Sequence, residues 1–270
     1  MSVADEEWTQ RGIDVNTPSV ARLYDYYLGG KDNFPSDRLA AEEILSVVPE
    51  VRIAARENRA FLGRAVRFLA EEGIEQFLDI GTGLPTQGNV HEVAQEIRPD
   101  ARVAYIDNDP IVLAHARALL RGIKGEVTVA SGDLRQPEEI LQTPEVRKHL
   151  DFSKPVAVLL VAIMHFITEA DDPRRIVTTL RDALPSGSYL VLSHGTHDNR
   201  TEAAKKGTKV YERANSPLVL RSRTEIRELF DGFELVNPGL VWLPEWRPDD
   251  FPLYDDPSQA LIVCGVGRKP

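Results

Sequence analysis

Cysteine is nearly absent from this chain of 270 residues, which contains a single one, Cys264. A lone cysteine cannot form an internal disulfide, and its place in the apolar segment LIVCGV predicts a small buried side chain rather than a nucleophile. Long apolar runs are also missing, because the longest, residues 156–164, is too short to cross a bilayer. The N-terminal residues lack a signal-peptide pattern, so we expect the protein to stay in the cytosol.

Basic side chains are in deficit, with 32 Lys and Arg against 42 Asp and Glu and a net charge of −10. This balance disfavours sequence-independent binding to nucleic acid or to an anionic membrane. Metal-ligand patterns are scarce too: His194, His197 and Asp198 are close in sequence but lack a further well-placed ligand, so we expect no metal. The apolar fraction of 42% is that of an ordinary globular protein with a substantial core, in one or two domains. The sequence predicts no particular oligomeric state.

The most informative stretch is EQFLDIGTGLPT, residues 75–86. An apolar run that breaks into Gly81-Thr82-Gly83 and then into a helical pattern is typical of a strand–turn–helix whose backbone approaches a ligand. A second apolar run ends at Asp107, 24 residues after Gly83, near the place where nucleoside-binding sheets carry the acid that binds a ribose. The two segments together predict a nucleoside site.

The glycine turn departs from the dinucleotide fingerprint. Its third glycine is missing, and Pro85 has no N–H for a pyrophosphate, which weakens the case for a nicotinamide cofactor. Asp79, just before the first glycine, would repel phosphates but suits a ligand with a cationic amino-acid tail. S-adenosylmethionine fits this description.

The N-terminal part of the chain is predicted to be mainly helical. Residues 1–18 predict a loosely held arm, and the segment SVARLYDYYLGG predicts a helix that stops at its glycine pair. Two more helices are expected over residues 37–48 and 51–72. We interpret residues 1–72 as an arm and a helical lid or cap on the core, and residues 73–270 as the domain that binds S-adenosylmethionine; an N-terminal helix that merely packs on the body is the alternative.

From Phe77 onward strands and helices alternate, which predicts a parallel sheet built from crossover connections. The expected strands are Gln76–Ile80, Arg102–Ile106, Glu126–Ala130, Val156–Ala162 and Tyr189–Ser193, then two more in FELVNPGLVWLPEW and ALIVCGVGR that form a hairpin-like finish. Asn89 with Glu92, Asp109 and Asp172 predict helix caps, as does Thr224 for the segment EIRELF. The stretch Lys205–Arg227 is expected to be a solvated face, with a substrate-facing insertion as the alternative.

Several segments resemble the class I S-adenosylmethionine-dependent methyltransferases and, within them, a family of soil-bacterial S-adenosyl methyltransferases of largely unassigned substrate. They are YDYYLGGKDNF, NRAFLGRAVRFLAEEGIEQFLDIGTGLPT, YIDNDPIVLAHARALL, DFSKPVAVLLVAIMHF and SGSYLVLSH. The resemblance implies an α/β fold with a Rossmann-like, mostly parallel sheet of seven strands in the order 3-2-1-4-5-7-6, flanked by helices and preceded by an N-terminal helical extension.

The same resemblance implies a cofactor site for S-adenosyl-L-methionine. Asp79, Gly81, Thr82 and Gly83 would line its methionine portion, and Arg59 lies nearest the position of an arginine that holds the cofactor carboxylate in related O-methyltransferases. Asp107 would accept hydrogen bonds from the ribose hydroxyls. The residues implied around the adenine and at the end of strand four are Asn108, Asp133, Leu134, Ala162 and Ile163.

The catalytic candidates are fewer. His165 follows strand four, where the family delivers the methyl group, and is the best general-base candidate, although a structural histidine is the common alternative. Tyr24 and Tyr27 of the N-terminal helix are further candidates. We therefore expect methyl transfer to an unidentified, small acceptor; a non-catalytic regulatory module that binds S-adenosylmethionine and, less favoured, a nicotinamide oxidoreductase are the alternatives.

Overall fold

The computed structural model describes residues 13–85, 88–119, 126–198, 207–249 and 256–270. Within these residues the protein forms one twisted sheet with helices on both faces. The strands found there are β1 (Gln76–Ile80), β2 (Arg102–Asp107), β3 (Val127–Ser131), β4 (Ala157–Val161), β5 (Tyr189–Gly195), β6 (Glu234–Leu235), β7 (Val241–Trp242) and β8 (Ile262–Arg268).

The sheet has the order β3-β2-β1-β4-β5-β8-β6, with β7 also pairing with β8. Strands β1 to β5 are parallel, and β8 runs antiparallel to β5, β6 and β7. The expected Rossmann-like sheet is thus confirmed, because β8 takes the place of the seventh predicted strand. Parallel strands aligned in this way bring their carboxyl ends to one edge.

The helices fill both faces and the space above that edge. Among the described residues they are α1 (Val20–Leu28), α2 (Pro35–Val47), α3 (Val51–Glu71), α4 (Val90–Ile97), α5 (Pro110–Leu119), α6 (Pro137–Gln142), α7 (Pro144–His149), α8 (Pro173–Asp182) and α9 (Arg223–Glu228). Two short 3-10 helices, Met164–Phe166 and Glu169–Asp171, follow β4, and residues 207–211 form a further helical turn. No helix of the described ranges is both long and apolar enough to cross a bilayer.

Alternate residues of each strand enter two separate cores, as the period of a strand requires. Leu78 and Ile80 pack with the cluster that includes α6 to α9, whereas Phe77 faces the cluster that includes α3 and α4. Asp79 lies on the same face as Phe77, beneath α3. Cys264 is buried in this second core, as its apolar surroundings predict.

The N-terminal helices are fixed to the sheet edge by polar contacts as well as by apolar ones. Asp37 accepts hydrogen bonds from the Ser19 N–H at 2.9 Å and from Arg22 Nε at 2.7 Å, and the Arg22–Asp37 ion pair is 3% and 0% exposed. Ser19 Oγ donates to Asp109 Oδ2 at 2.7 Å, which ties the start of α1 to the loop after β2. The Arg22–Asp37 pair joins α1 to α2, and because breaking a buried ion pair on one side costs about 3–5 kcal/mol, loss of either residue should destabilise this junction.

Three local predictions are wrong. The prediction of a loose arm is wrong for residues 13–18, because Ile13 and Val15 are buried against Leu84, Ile111 and Val112. Residues 1–12 lie outside the described part of the chain. The segment FELVNPGLVWLPEW forms two short strands, β6 and β7, rather than one. Pro238 lies between them and has no N–H to continue a ladder.

The third wrong prediction concerns the cap of α9. Ser222, not Thr224, precedes the helix: its Oγ accepts from the Glu225 N–H at 3.2 Å, and Glu225 Oε2 accepts from the Ser222 N–H at 2.8 Å. This reciprocal pair satisfies two donors that a helix start otherwise leaves free. The caps predicted at Asp109 and Asp172 are confirmed by bonds from the backbone N–H groups two and three residues on.

Candidate functional site

The predicted site residues meet in one cavity at the carboxyl edge of the sheet, beneath α1 and α3. It is lined by Tyr24, Tyr27, Arg59, Asp79, Gly81, Thr82, Gly83, Asp107, Asn108, Asp133, Leu134, Ala162, Ile163 and His165. They come from the ends of β1 to β4 and from two N-terminal helices. Open parallel sheets hold their ligands at this edge.

The turn after β1 has glycines for two different reasons. Gly81 has φ +75°, and a Cβ there would come within 2.5 Å of the Ile163 side chain, so this glycine is needed for packing against the end of β4. Gly83 has φ +67°, and a Cβ there would meet nothing within 4 Å. Only the second glycine therefore leaves its backbone open to a ligand.

Asp79 is a buried carboxylate that lacks a partner. Its side chain is 6% exposed, and no hydrogen bond reaches the carboxylate from the part of the chain that the structure describes. Burial raises the pKa of Asp79 to about 7, although the positive charge of Arg59 opposes the rise and the negative charge of Asp107 adds to it. A buried, unpaired carboxylate is costly, which points to an absent cationic partner.

Asp107 ends β2 and is held by the backbone. Its Oδ2 accepts from the Gly83 N–H at 3.0 Å and its Oδ1 from the Asp109 N–H at 2.9 Å. Burial raises the pKa of Asp107 to about 6 in spite of these bonds, which lower it. A carboxylate has about four lone-pair sites, so Asp107 can accept further hydrogen bonds beside those from the backbone.

Asp133 differs from the other two carboxylates because it already has a partner. Arg135 binds it through Nε at 2.9 Å and Nη2 at 2.5 Å, and the Arg135 N–H also donates to it at 2.9 Å. The Arg135 side-chain bonds hold the pKa of Asp133 below its usual range, and Asn108 contributes a further hydrogen bond. The neighbouring Leu134 N–H has no acceptor among the described residues.

A buried hydrogen-bond chain links the N-terminal helices to the end of β4. Tyr24 Oη donates to the Ala55 carbonyl at 3.0 Å and accepts from Asn58 Nδ2 at 2.9 Å. Asn58 Oδ1 in turn accepts from Ser193 Oγ at 2.6 Å, and Ser193 Oγ accepts from the Ala162 N–H at 2.8 Å. Ala162 has φ +56°, a strained conformation for a residue with a Cβ, and this chain holds it.

His165 is a buried and neutral imidazole. Its Nδ1 accepts from the Gly195 N–H at 3.3 Å, which assigns the ring proton to Nε2. Burial and, to a smaller extent, the positive charge of Arg221 lower the pKa of His165 to about 3. At neutral pH the ring is therefore a hydrogen-bond donor at Nε2 and a weak base.

Arg221 is fixed behind the two histidines of this region. It is 4% exposed and donates to His194 Nε2 at 2.9 Å and to Glu169 Oε1 at 2.6 Å. The prediction of a solvated face is wrong here, since Arg221 and Tyr211 are buried. His194 donates through Nδ1 to the Gly195 carbonyl at 2.7 Å, so both of its nitrogens are engaged.

Tyr27 and Tyr211 face each other across the cavity, with their hydroxyl oxygens 3.3 Å apart. Burial raises the pKa of Tyr27 far above its usual range and that of Tyr211 to about 12, so both remain protonated. Both hydroxyls can donate or accept a hydrogen bond, but neither is a base at neutral pH.

Sequence reasoning missed Asn58, Ser193, Tyr211 and Arg221. Two of them could have been found from the sequence. Asn58 is a polar residue on the apolar face of α3, and Ser193 is a polar residue near the end of an apolar strand. Tyr211 and Arg221 lie in a polar, basic stretch, and this composition predicts exposed rather than buried side chains.

Comparison with known proteins gives a consistent result. The family model described as S-adenosyl methyltransferase matches residues 6–270. A DUF574 family protein from Streptomyces avermitilis is 41% identical, with a TM-score of 0.91 over 95% of this chain and 99% of that one. A candidate methyltransferase from Thermobifida fusca is 44% identical, with a TM-score of 0.90 over 99% of both chains. None of the curated proteins matches the chain.

The mitomycin 7-O-methyltransferase MmcR is more distant, at 17% identity and a TM-score of 0.50 over 82% of this chain and 56% of that one, and its likeness concerns the fold alone. The family match spans nearly the whole chain, and the two similar structures align over almost their full lengths. The chain therefore belongs to the S-adenosyl methyltransferase family: it is a methyltransferase, and its cofactor is S-adenosyl-L-methionine.

Proposed function

We propose that the protein transfers the methyl group of S-adenosylmethionine to a small-molecule acceptor bound in the same cavity. This proposal rests on one observation: a single cavity has lining groups suited to the cofactor and others suited to an acceptor. The carboxylates of Asp79 and Asp107 line one end of the cavity, while Tyr27, His165 and Tyr211 line the other. The empty space, which includes the part open to solvent, is about 1890 Å³.

The methionine end of the cofactor fits the groups near β1. The unpartnered Asp79 carboxylate is suited to the ammonium group, because a cation would offset the cost of its burial. Arg59 lines the same end and lies near enough to lower the pKa of Asp79, which makes it suited to the carboxylate of the amino-acid tail. The open Gly83 backbone leaves room for the chain between them.

The nucleoside end fits the groups near β2 and β3. Asp107 has lone pairs beyond those used by the backbone N–H groups, and a carboxylate, which only accepts, suits the two ribose hydroxyls. The Leu134 N–H is available for a ring nitrogen of adenine. Asp133 fits less well, because its carboxylate is already bound by Arg135, and an adenine amino group would have to share or displace that contact.

When bound, the cofactor supplies a methyl group on a sulfonium sulfur. The acceptor heteroatom would exchange its proton, released to solvent, for this methyl group, and the electron pair of the broken carbon–sulfur bond would stay on sulfur. The protein has mainly to align the reactants. We propose that the Tyr24–Asn58–Ser193 chain positions Ala162, and that His165 Nε2 donates a hydrogen bond to the acceptor rather than removing its proton.

The N-terminal helices complete the enclosure. We propose that residues 1–72 act as a cap, of which α1 to α3 cover the cavity and limit the access of water. In support, Tyr24 and Tyr27 of α1 line the cavity, and Ser19 anchors the helix to Asp109. Water exclusion strengthens the electrostatic contacts that orient the ligands.

A small acceptor fits better than nucleic acid. The net charge is −10, and the acceptor end lies beneath α1 and α2 rather than on an open basic surface. Backbone recognition of nucleic acid depends on clustered cationic side chains. The family assignment and Pro85 both go against the nicotinamide alternative.

The first test is calorimetric titration of the folded protein with S-adenosylmethionine and S-adenosylhomocysteine. Both are expected to bind, and Asp107→Ala is expected to weaken binding by at least about thirtyfold while the circular dichroism spectrum is retained. The proposal fails if neither binds to wild-type protein with a cooperative thermal transition. Incubation with methyl-labelled cofactor and a protein-free metabolite extract is then expected to label a small molecule; binding without any labelling would favour the regulatory module.

A further inference from the structure

Charge is divided unequally along the cavity. Six charged side chains line the described part of it, and they are Arg59, Asp79, Asp107, Asp109, Asp133 and Arg135. Five of them follow or end β1, β2 and β3, and Arg59 of α3 lies near Asp79. Beyond β4, no described side chain that lines the cavity carries a charge. The charges thus belong to the cofactor end.

The other end, called here the uncharged lobe, is enclosed by apolar and aromatic side chains. Its defining residues are Tyr27, Ile44, Val48, Phe166, Tyr211 and Leu218. Tyr27, Ile44 and Tyr211 are buried in one cluster with Phe166 and Leu218 packed against them, so the lobe has a formed wall. The wall comes from α1, α2, the 3-10 helix after β4 and residues 207–218.

Aromatic rings define the shape of the lobe. The rings of Phe166 and Tyr211 lie 5.9 Å apart at 42°, and the ring of His165 lies 4.5 Å from that of Phe166, nearly perpendicular at 78°. The first pair is tilted and the second is edge-to-face. Aromatic rings prefer offset or edge-to-face contacts, so a further flat ring beside these side chains would gain favourable contacts. A planar molecule in this lobe would gain both apolar burial and ring contacts.

The polar lining groups of the lobe are neutral. They include the Tyr27 and Tyr211 hydroxyls, 3.3 Å apart, and the His165 imidazole, whose Nδ1 is occupied by the Gly195 N–H; Thr208, Asn215 and Ser216 line the cavity as well. An ionised carboxylate, phosphate or ammonium placed here would lose its hydration without gaining an opposite charge from any described lining residue. A hydroxyl or carbonyl group, by contrast, would find both donors and acceptors.

We propose that the uncharged lobe selects an uncharged, planar aromatic acceptor that bears a hydroxyl or a comparable neutral heteroatom group. The inference rests on the proposed function, since it specifies the molecule that would be methylated. It excludes phosphorylated, carboxylated and polycationic acceptors whose charge would enter the lobe. Its basis is the absence of charge from the described wall together with the aromatic geometry around His165.

The test compares three probes of the same ring system: a naphthol, the corresponding naphthoate and the corresponding naphthylmethylammonium. Calorimetric titration of protein saturated with S-adenosylhomocysteine is expected to give at least about tenfold tighter binding of the naphthol than of either ion. Equal or tighter binding of an ion would overturn the inference. Failure of S-adenosylhomocysteine itself to bind would instead count against the proposed function, and the probes would still be compared on the free protein.

Two matched variants test whether the probe binds in the uncharged lobe. Leu218→Glu puts a carboxylate into the wall and is expected to weaken naphthol binding about tenfold while the ammonium probe gains affinity. Leu39→Glu, at a position that is 74% exposed on α2, is expected to change neither. Unchanged selectivity in folded Leu218→Glu contradicts the proposal.

A milder variant covers the case in which Leu218→Glu does not fold. Tyr211→Phe keeps the ring but removes the hydroxyl that lies beside Tyr27. It is expected to weaken the naphthol several-fold while leaving the binding of unsubstituted naphthalene unchanged. Equal effects on both probes, or none on either, would show that the hydroxyl pair does not recognise the heteroatom.

Discussion

At the scale of single residues, we expect Asp79 to destabilise the free protein and to contribute to cofactor binding. Its buried carboxylate has no described partner, and its pKa is raised to about 7. We predict that Asp79→Asn makes the free protein more stable, by about 1–4 kcal/mol at pH 8, because one unit of pKa shift corresponds to about 1.4 kcal/mol. The same variant is expected to bind S-adenosylmethionine at least about tenfold more weakly.

Thermal unfolding and calorimetry measure the two effects separately. Since the folded-state pKa of Asp79 lies above its unfolded value, its contribution to stability is full below pH 4 and is lost as the pH rises through about 7. Asp79→Asn should therefore raise the melting temperature at pH 8 and change it little at pH 4. A lower melting temperature at pH 8 would show that the carboxylate has a stabilising partner.

The pH dependence of cofactor binding follows from the same ionisations. The pKa values of Asp79 and Asp107 are raised to about 7 and about 6, so both carboxylates are largely protonated at pH 5.5 and ionised at pH 8. A cationic ammonium and two hydroxyl donors prefer the ionised forms. We predict that the affinity for S-adenosylhomocysteine rises between these pH values.

Calorimetry at a series of pH values gives this profile, with Asp79→Asn as the comparison. The variant removes the group whose pKa is about 7, so its profile should retain only the rise near pH 6. A profile that is flat in the wild type would mean that neither carboxylate contacts the ligand.

The three strand-end carboxylates should not contribute equally. Asp107 has free acceptor sites, whereas Asp133 is bound by Arg135 at 2.5–3.1 Å. We predict that Asp107→Ala weakens S-adenosylhomocysteine binding by at least about thirtyfold, as loss of charged hydrogen bonds does, and Asp133→Ala by no more than a few-fold. Calorimetric titrations of the two variants with S-adenosylhomocysteine at pH 8 test this difference. Equal losses of affinity would show that Arg135 moves away from Asp133 when the ligand binds.

At the scale of the elements, the chain from α1 to β4 is the contact most sensitive to substitution. Asn58 is 2% exposed and joins Tyr24 to Ser193. Asn58→Ala removes one of the two hydrogen bonds of the Tyr24 hydroxyl and one of the two of the Ser193 hydroxyl, and we predict a loss of about 2–4 kcal/mol in the free energy of unfolding.

Urea denaturation measures this loss. Arg56→Ala, at an exposed position of the same helix, is the matched control and is expected to change stability by less than about 0.5 kcal/mol. If Asn58→Ala were as harmless as the control, the chain of hydrogen bonds would not support the end of β4.

How much was predictable differs from element to element. The limits of β1 follow from its apolar run and the glycine turn, and the order of the sheet follows from the alternation of strands and helices together with the family resemblance. The split into β6 and β7 was not predicted. The apolar pattern continues on both sides of Pro238 and favoured a single strand, although a proline within a strand is a sign of interruption. The Ser222 cap was missed for a similar reason: Ser222 and Thr224 are both good caps, and only the contact with Glu225 decides.

The candidate site was more predictable at its cofactor end than at its acceptor end. Asp79, Gly83 and Asp107 stand in short local motifs, and the parallel sheet brings them together without further information. Tyr211 and Arg221 come from a distant basic stretch, and their burial depends on tertiary packing that no local pattern reveals. Their partners, Tyr27 and Glu169, are separated from them by 184 and 52 residues.

At the scale of the whole molecule, ligand binding should stabilise the fold as one unit, because the cavity is built from the sheet and from all three N-terminal helices. A ligand at a concentration of 100 times its Kd adds about 2.7 kcal/mol. We predict that S-adenosylhomocysteine under this condition raises the melting temperature by about 5–10 °C in a single transition. Two transitions, of which only one shifts, would show that α1 to α3 unfold independently.

The hydrogen bond between Ser19 and Asp109 has a kinetic consequence. Asp109 stands two positions after Asp107, the residue proposed to bind the ribose, and the helix that Ser19 begins also carries Tyr24 and Tyr27, which line the cavity. On the proposed function α1 would border both ligands, so a change in its attachment would alter the surroundings of cofactor and acceptor together. Weakening this one attachment should alter the KM of cofactor and acceptor together, so that the enzyme's preference for one partner cannot be tuned at this helix alone.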